Sequence, residues 1–250
     1  AYSRGALSEY YDSLKAPAPA PASDEIEETT QALESREFKA ELKRVFNTTQ
    51  HTPSWKQPKK SDGYALGCGA TAWGIVYGYW RQFKAANRLF EGQDLTYLAN
   101  PQNSESATSP YVGPLIEACA TAIDTKYVIA SGVKSGDSKP WNMCKATKVA
   151  SDLGYTATCN RYDGISEFKK FDYAYGSLTD DRPAILTVYN HFVVIEGARK
   201  TQMYTLGWHD RTVSYLVNQG WGLPAKWIWV RDWGANQHEL EPSFALFTLN

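Results

Sequence analysis

The sequence lacks the features that mark several large classes of protein. No uninterrupted apolar stretch approaches the roughly 18 residues that a membrane-spanning helix needs. Lys and Arg number 26 against 27 Asp and Glu, so the formal net charge is only −1. A chain this close to neutral has no overall field to attract nucleic acid or an anionic membrane. No internal repeat is visible. The sequence therefore predicts no membrane span and no nucleic-acid partner, and it leaves the oligomeric state open.

Cysteine is also scarce. The four cysteines are Cys68, Cys119, Cys144 and Cys159, and no two of them form a C-x-x-C pair. The four histidines lie far from them in the sequence, so a structural zinc site is not expected, and we predict neither a metal nor a cofactor. Cys144 and Cys159 are compatible with a bridge in an oxidising compartment, but the sequence leaves the pairing open.

The chain has 250 residues, a length that suits one large domain or one domain with an arm. Residues 16–23 form a Pro/Ala spacer, and the apolar stripe that follows predicts a helix near residues 24–46. We interpret residues 1–50 as an N-terminal arm, either a pro-segment that makes the protein a zymogen, a docking arm or a linker. Residues 51–250 then form the main domain. The absent initial Met and a sequon-like site at Asn47 favour a secreted protein.

The two halves of the main domain differ in the pattern of their apolar residues. Apolar residues recur at helical spacing in its first half, and β-branched and aromatic runs separated by turn residues fill its second half. The predicted helices span residues 69–85, 111–123 and 141–153, and the predicted strands lie within residues 183–199, 212–222, 225–233 and 243–250. Helices first and strands second indicate an α+β fold.

One short segment carries the strongest chemical signal. In "LGCGATAWGIVYGYW" (residues 66–80), Cys68 stands between two glycines at the start of the predicted helix. A helix N-terminus lowers the pKa of a thiol, and its backbone N–H groups can stabilise an oxyanion. Cys68 is therefore a candidate nucleophile. The alternative is a buried structural thiol.

A thiol nucleophile needs a base and a group that orients the base. His191 opens the strand-like run "HFVVIEGAR" and is the preferred base, with His209 as the second choice. Asn218, in "VNQGWG", could accept a hydrogen bond from the imidazole, and Trp221 could shield that bond from water. In isolation, His191 also fits a core histidine, and "VNQGWG" also fits a Trp-containing turn.

The order Cys68, His191, Asn218 matches the order and approximate spacing of the papain pattern. The chain resembles papain-like cysteine peptidases, above all the streptopain-type branch. "CGATA" is similar to its C-x-A-T-A helix start, "HFVVIEGA" to its H-x-F-V-I-D-G-A strand, and "VNQGWG" to its V-N-W-G-W-G, with Gln219 in place of the first Trp.

The resemblance implies a papain-like fold in which a helical N-terminal half carries the nucleophile and packs on a C-terminal antiparallel sheet. It implies that Cys68 is the nucleophile, His191 the general acid and base, Asn218 its orienter and Trp221 part of an aromatic wall. Papain-like enzymes carry a Gln shortly before the Cys as a second oxyanion donor. At that position this sequence has Asp62, and the nearest preceding Gln is Gln57.

Asp62 leaves several arrangements open. The carboxyl group could be protonated or turned away, Gln57 could reach the site through a longer loop, or backbone donors could suffice.

Three functions follow from these motifs. The first is a cysteine peptidase that acts on a protein or peptide through a thioester. The second is an amidase, deamidase or transpeptidase that uses the same three residues. The third is a catalytically degenerate papain-like domain that binds a partner through the aromatic residues of 221–233.

Overall fold

The computed structural model describes residues 36–41, 52–83, 86, 112–188, 191–205, 208–231 and 245–250. Within these ranges, helices dominate the first half and an antiparallel sheet the second, which confirms the predicted α+β class. The helices are α1 (Cys68–Phe83), α2 (Val112–Ala122), a 3-10 helix (Pro140–Ala146), α3 (Thr147–Asp152) and α4 (Glu167–Thr179). No helix among the described residues is long and apolar enough to cross a membrane.

The strands build one large sheet and one separate hairpin. They are β1 (Arg36–Glu41), β2 (Lys126–Ala130), β3 (Val133–Asp137), β4 (Cys159–Asp163), β5 (Ala184–Val188), β6 (His191–Thr205), β7 (Trp208–Asn218), β8 (Lys226–Arg231) and β9 (Ala245–Leu249). The sheet has the order β4-β9-β5-β6-β7-β8, every pair is antiparallel, and β1 adds to β6. Among the described residues, the strands β2 and β3 form a separate two-stranded sheet.

Helix α1 is held by apolar residues on more than one of its faces. Trp73 and Tyr77 belong to a core shared with α2, whereas Tyr79 belongs to the core between α4 and the sheet. All three side chains are at least 99% buried. A helix enclosed in this way is held by packing rather than by intrinsic propensity. Its first residue, Cys68, is thereby fixed next to the sheet.

The prediction of a helix near residues 24–46 is wrong where the structure describes that segment. Residues 36–41 form β1, which pairs antiparallel with β6 from Arg36 opposite Gln202 to Glu41 opposite Gly197. The physical reason is the length of β6: it extends past the end of β5, so an unpaired backbone edge remains for another strand. The rest of that predicted helix and the Pro/Ala spacer lie outside the described residues. Part of the predicted arm therefore belongs to the main sheet.

A disulfide joins Cys144 in the 3-10 helix to Cys159 at the start of β4. The bond closes a loop with a sequence separation of 15 residues. Because a loop of about that length loses chain entropy worth about 3 kcal/mol when it is cross-linked, we expect reduction to lower the free energy of unfolding by about that amount. Urea unfolding with and without a reductant measures the change. A Cys144→Ser/Cys159→Ser double variant that showed the same loss on reduction would contradict this assignment.

Candidate active site

The turn before α1 places Cys68 at the first helical position. Gly67 has a φ of +101°, which a residue with a side chain rarely adopts, and its carbonyl accepts the hydrogen bond from Thr71 N at 3.0 Å. A Cβ on Gly69 would lie 2.9 Å from Met143 Sδ and from Ser138 Cβ. Gly69 is therefore required for close packing against these two side chains. The N–H of Cys68 precedes the first intrahelical hydrogen bond and is available to an oxyanion.

The surroundings of Cys68 favour the thiolate. Its side chain is half-buried, and burial by itself raises the pKa of the thiol. The charge of His191, a hydrogen bond with the His191 side chain and backbone hydrogen bonds from Phe192 and Gly69 outweigh that effect. The pKa of Cys68 is therefore lowered from its ordinary value.

His191 is the first residue of β6 and lies beside Cys68 with its ring 93% buried. Its Nε2 atom lies 2.9 Å from the backbone carbonyl oxygen of Gln219, to which it donates a hydrogen bond. Since Nε2 is engaged in this way, Nδ1 is the ring nitrogen left for Cys68. Burial lowers the pKa of His191, but the charge of Cys68, the hydrogen bond with Cys68 and the Gln219 carbonyl raise it above its usual value. The ring of Trp221 lies 5.1 Å from the imidazole, centroid to centroid, and covers it.

The two pKa shifts have opposite signs and a common cause. Each partner stabilises the charged form of the other, so the proton moves from sulfur to imidazole at a lower pH than in the separated groups. Two interacting groups of this kind titrate as a pair. The arrangement favours a nucleophilic thiolate beside a protonated imidazole, which is what acyl transfer requires.

Asn218 lies at the end of β7 next to this pair, but the predicted hydrogen bond from the imidazole to its amide oxygen is not formed. The Asn218 Oδ1 atom instead accepts from Gly220 N at 3.1 Å, and Nδ2 donates to Thr52 Oγ1 and to Pro53 O, each at 3.0 Å. The acceptor for His191 is the backbone carbonyl of the next residue, Gln219. Asn218 thus contacts the segment on either side of the Gln219 carbonyl rather than the imidazole itself. Its catalytic relevance stays a prediction.

Asp62 is not placed as an oxyanion partner. It lies in an exposed turn, where its Oδ1 accepts from Tyr64 N at 3.3 Å and its Oδ2 lies 3.7 Å from Lys60 Nζ. With its side chain 52% exposed, Asp62 keeps its carboxylate in solvent. Gln57 is closer to the site by its backbone, because its N–H donates to Gly220 O at 3.0 Å. A role for the Gln57 side chain as second oxyanion donor stays a prediction.

The remaining histidines and cysteines are not placed at this site by the described part of the structure. His209, the second choice as base, lies in β7, opposite Tyr204 at the far end of β6. Cys119 is fully buried in α2, and burial raises its pKa, so it is an inert core thiol. His51 and His238 lie outside the described residues. No group of His, Cys, Asp and Glu in the described part of the chain is arranged to hold a metal ion.

Sequence reasoning missed three contributors to the site. They are the Gln219 carbonyl, the Phe192 backbone N–H and the hydroxyl of Thr52. Two are backbone groups, which carry no residue signature. Thr52 precedes Asn218 by 166 residues and gives no local signal.

Comparison with known proteins agrees with the fold. No protein-family model matches the sequence, and no curated protein matches it either. A fragment of prointerpain A from Prevotella intermedia, in a cysteine-to-alanine mutant form, is similar in structure, with a TM-score of 0.50 and 14% sequence identity. The match covers 84% of this chain and 71% of that fragment. Prointerpain A is a cysteine peptidase precursor. At this identity the likeness bears on the fold alone, and it agrees with the α+β order of helices followed by an antiparallel sheet.

Proposed function

We propose that this protein is a cysteine peptidase that cleaves peptide bonds through a thioester. One observation carries the proposal: the Cys68 thiol, at the N-terminus of α1, is paired with a buried imidazole whose second nitrogen is held by a carbonyl. The α+β fold and its likeness to a peptidase precursor agree with it. The described residues hold no metal-binding cluster, and the proposed chemistry requires none.

The reaction uses the two charged groups in turn. The Cys68 thiolate forms a bond to the carbonyl carbon of the substrate, and the oxyanion is received by the N–H groups at the start of α1. The imidazolium of His191 then gives its proton to the amine as the C–N bond breaks, which leaves a thioester. Water attacks the thioester, neutral His191 takes a proton from that water, and cleavage of the C–S bond returns the Cys68 thiolate and the imidazolium.

The test is hydrolysis of a casein or peptide panel before and after alkylation with iodoacetamide. We expect peptide-bond cleavage that is lost in proportion to labelling at Cys68, as mapped by mass spectrometry. Intact substrates together with an unlabelled Cys68 would contradict the proposal. Products should also be analysed with a primary amine added, because an amide-transfer enzyme would place that amine on the acyl group where a peptidase uses water.

We further propose an extracytoplasmic location. The disulfide between Cys144 and Cys159 supports it, since such bonds form and persist mainly in oxidising compartments.

A further inference from the structure

A carboxyl group lies behind the site and takes no part in the chemistry described so far. Glu196 is 97% buried in β6. The pairing with β7 places Ile195 opposite Val217 and Gly197 opposite Leu216, so Glu196 is the extra residue of a β-bulge. A bulge re-aims a side chain and often occurs beside an active site. The irregularity in β6 therefore gives Glu196 an orientation that a regular strand would not.

The side chain of Glu196 is surrounded by donors from the two segments that flank the site. The hydroxyl of Thr52 donates to Glu196 Oε1. The Thr52 N–H also donates to this carboxyl, and the Asn218 side-chain amide interacts with it. The pKa of Glu196 is raised to about 7, because the effect of burial outweighs that of these hydrogen bonds, which lower it. Burying a carboxyl group is unfavourable unless such donors compensate it.

The same contacts lead from Glu196 to the imidazole. Asn218 Nδ2 is held by Thr52 Oγ1 and Pro53 O, and Asn218 Oδ1 holds Gly220 N. Gln219 lies between these two fixed points, and its carbonyl oxygen accepts from His191 Nε2. The direction of that carbonyl is thus set by how firmly Asn218 is anchored.

We propose that Glu196 is a positioning residue, which acts with Thr52 to anchor Asn218 and thereby directs the Gln219 carbonyl at His191. The proposal rests on the proposed function, because the position of His191 matters only if it works with Cys68. Glu196 and Thr52 are not catalytic residues, since neither touches Cys68 or His191 in these contacts. Their effect should appear in the protonation of the Cys68–His191 pair.

Thr52 offers a matched pair of variants. Thr52→Val keeps the shape and removes the hydroxyl, whereas Thr52→Ser keeps the hydroxyl and removes a methyl group. If the carbonyl of Gln219 moves, the imidazolium loses an acceptor and the thiolate loses its partner. We expect Thr52→Val to raise the apparent pKa of the Cys68 thiol by about one unit. We expect kcat to fall about 10-fold to 100-fold with little change in KM, because a small misplacement of the base suffices for such a loss.

The apparent pKa is read from the rate of Cys68 alkylation against pH, with labelling followed at the level of the peptide so that Cys119 does not interfere. Thr52→Ser should show the same dependence of the Cys68 alkylation rate on pH as the unmodified protein. If Thr52→Ser is impaired as much as Thr52→Val, packing rather than the hydroxyl is responsible and the proposal is overturned.

Glu196→Gln provides an independent test at nearly constant volume, and it serves if Thr52→Val does not fold. Three donors face two carboxylate oxygens, and an amide replaces one of those acceptors by a further donor. We expect the apparent pKa of the Cys68 thiol to rise again. In the Thr52→Val/Glu196→Gln double variant, the rise should be smaller than the sum of the rises in the two single variants. A folded Glu196→Gln protein with an unchanged profile overturns the proposal. An ordinary thiol pKa in the unmodified protein would instead overturn the proposed function.

Discussion

Replacing Cys68 by alanine is expected to abolish peptide-bond cleavage, with kcat/KM falling about 10⁴-fold or more. The physical reason is that the substitution removes the nucleophile itself, so no thioester forms and only water remains to attack the carbonyl. The N–H groups at the start of α1 are retained, because alanine fits the first position of a helix as well as cysteine does. Substrate binding should therefore survive. Initial rates on a peptide substrate and equilibrium binding of the same peptide measure the two effects separately.

Cys119 provides the control for this substitution. It is the second free cysteine of the described chain, but it is buried in α2 with a raised pKa. Cys119→Ala should lower the free energy of unfolding, by roughly 1 kcal/mol, through a small cavity in the core. It should leave kcat/KM within about two-fold of the unmodified protein, since a buried thiol with a raised pKa supplies no nucleophile. A Cys68→Ala protein that cleaved peptides as well as Cys119→Ala would contradict the proposed mechanism.

The helices and the sheet could be predicted where apolar residues recur at a regular period or form a continuous run. The predicted helix at residues 69–85 corresponds to α1 at Cys68–Phe83, and the predicted helix at residues 111–123 to α2 at Val112–Ala122. The predicted helix at 141–153 is present as a 3-10 helix followed by α3. Such agreement arises because hydrophobic periodicity is a local property of the chain.

Helix α4 was missed although its signals are present. Ser166 caps it, since the Ser166 side chain accepts a hydrogen bond from Lys169 N, and Phe168, Phe171 and Leu178 recur on its buried face. The β2–β3 hairpin is different. Val128, Ile129 and Val133 are exposed, so its apolar residues do not mark a buried face. A hairpin of this kind cannot be recognised by a hydrophobic pattern.

Strand β1 shows where local reasoning fails in principle. The sequence of residues 36–41 does not reveal which strand the segment pairs with, because the unpaired edge of β6 lies about 160 residues away in the chain. The apolar stripe in residues 24–46 favoured a helix, and the tertiary context decided otherwise. In the same way, the motifs predicted that Cys68 and His191 meet, but not that a carbonyl rather than the Asn218 amide holds the imidazole.

Replacing His191 by alanine is expected to lower kcat/KM about 10³-fold, the usual contribution of a positioned general acid and base. The sign of the accompanying pKa change follows from the surroundings of Cys68. Burial raises the pKa of the thiol, and it is the charge and hydrogen bond of His191 that lead the opposing effects. Without the imidazole, the thiol pKa should therefore rise toward or above its ordinary value of about 8.5. Alkylation of Cys68 at pH 6 should slow markedly, and the rate should approach that of the unmodified protein only at a pH well above the raised thiol pKa.

His209→Ala is the matched control, because His209 is the other histidine that the sequence offered as a base. It pairs with Tyr204 on β6, about 40 Å along the strand from His191 at about 3.3 Å per residue. Its removal should change neither the alkylation profile of Cys68 nor the rate of cleavage. A loss of activity in His209→Ala equal to that in His191→Ala would show that the imidazole beside Cys68 is not the one that carries the proton. The Cys68 thiolate depends on His191 only if the two variants behave differently.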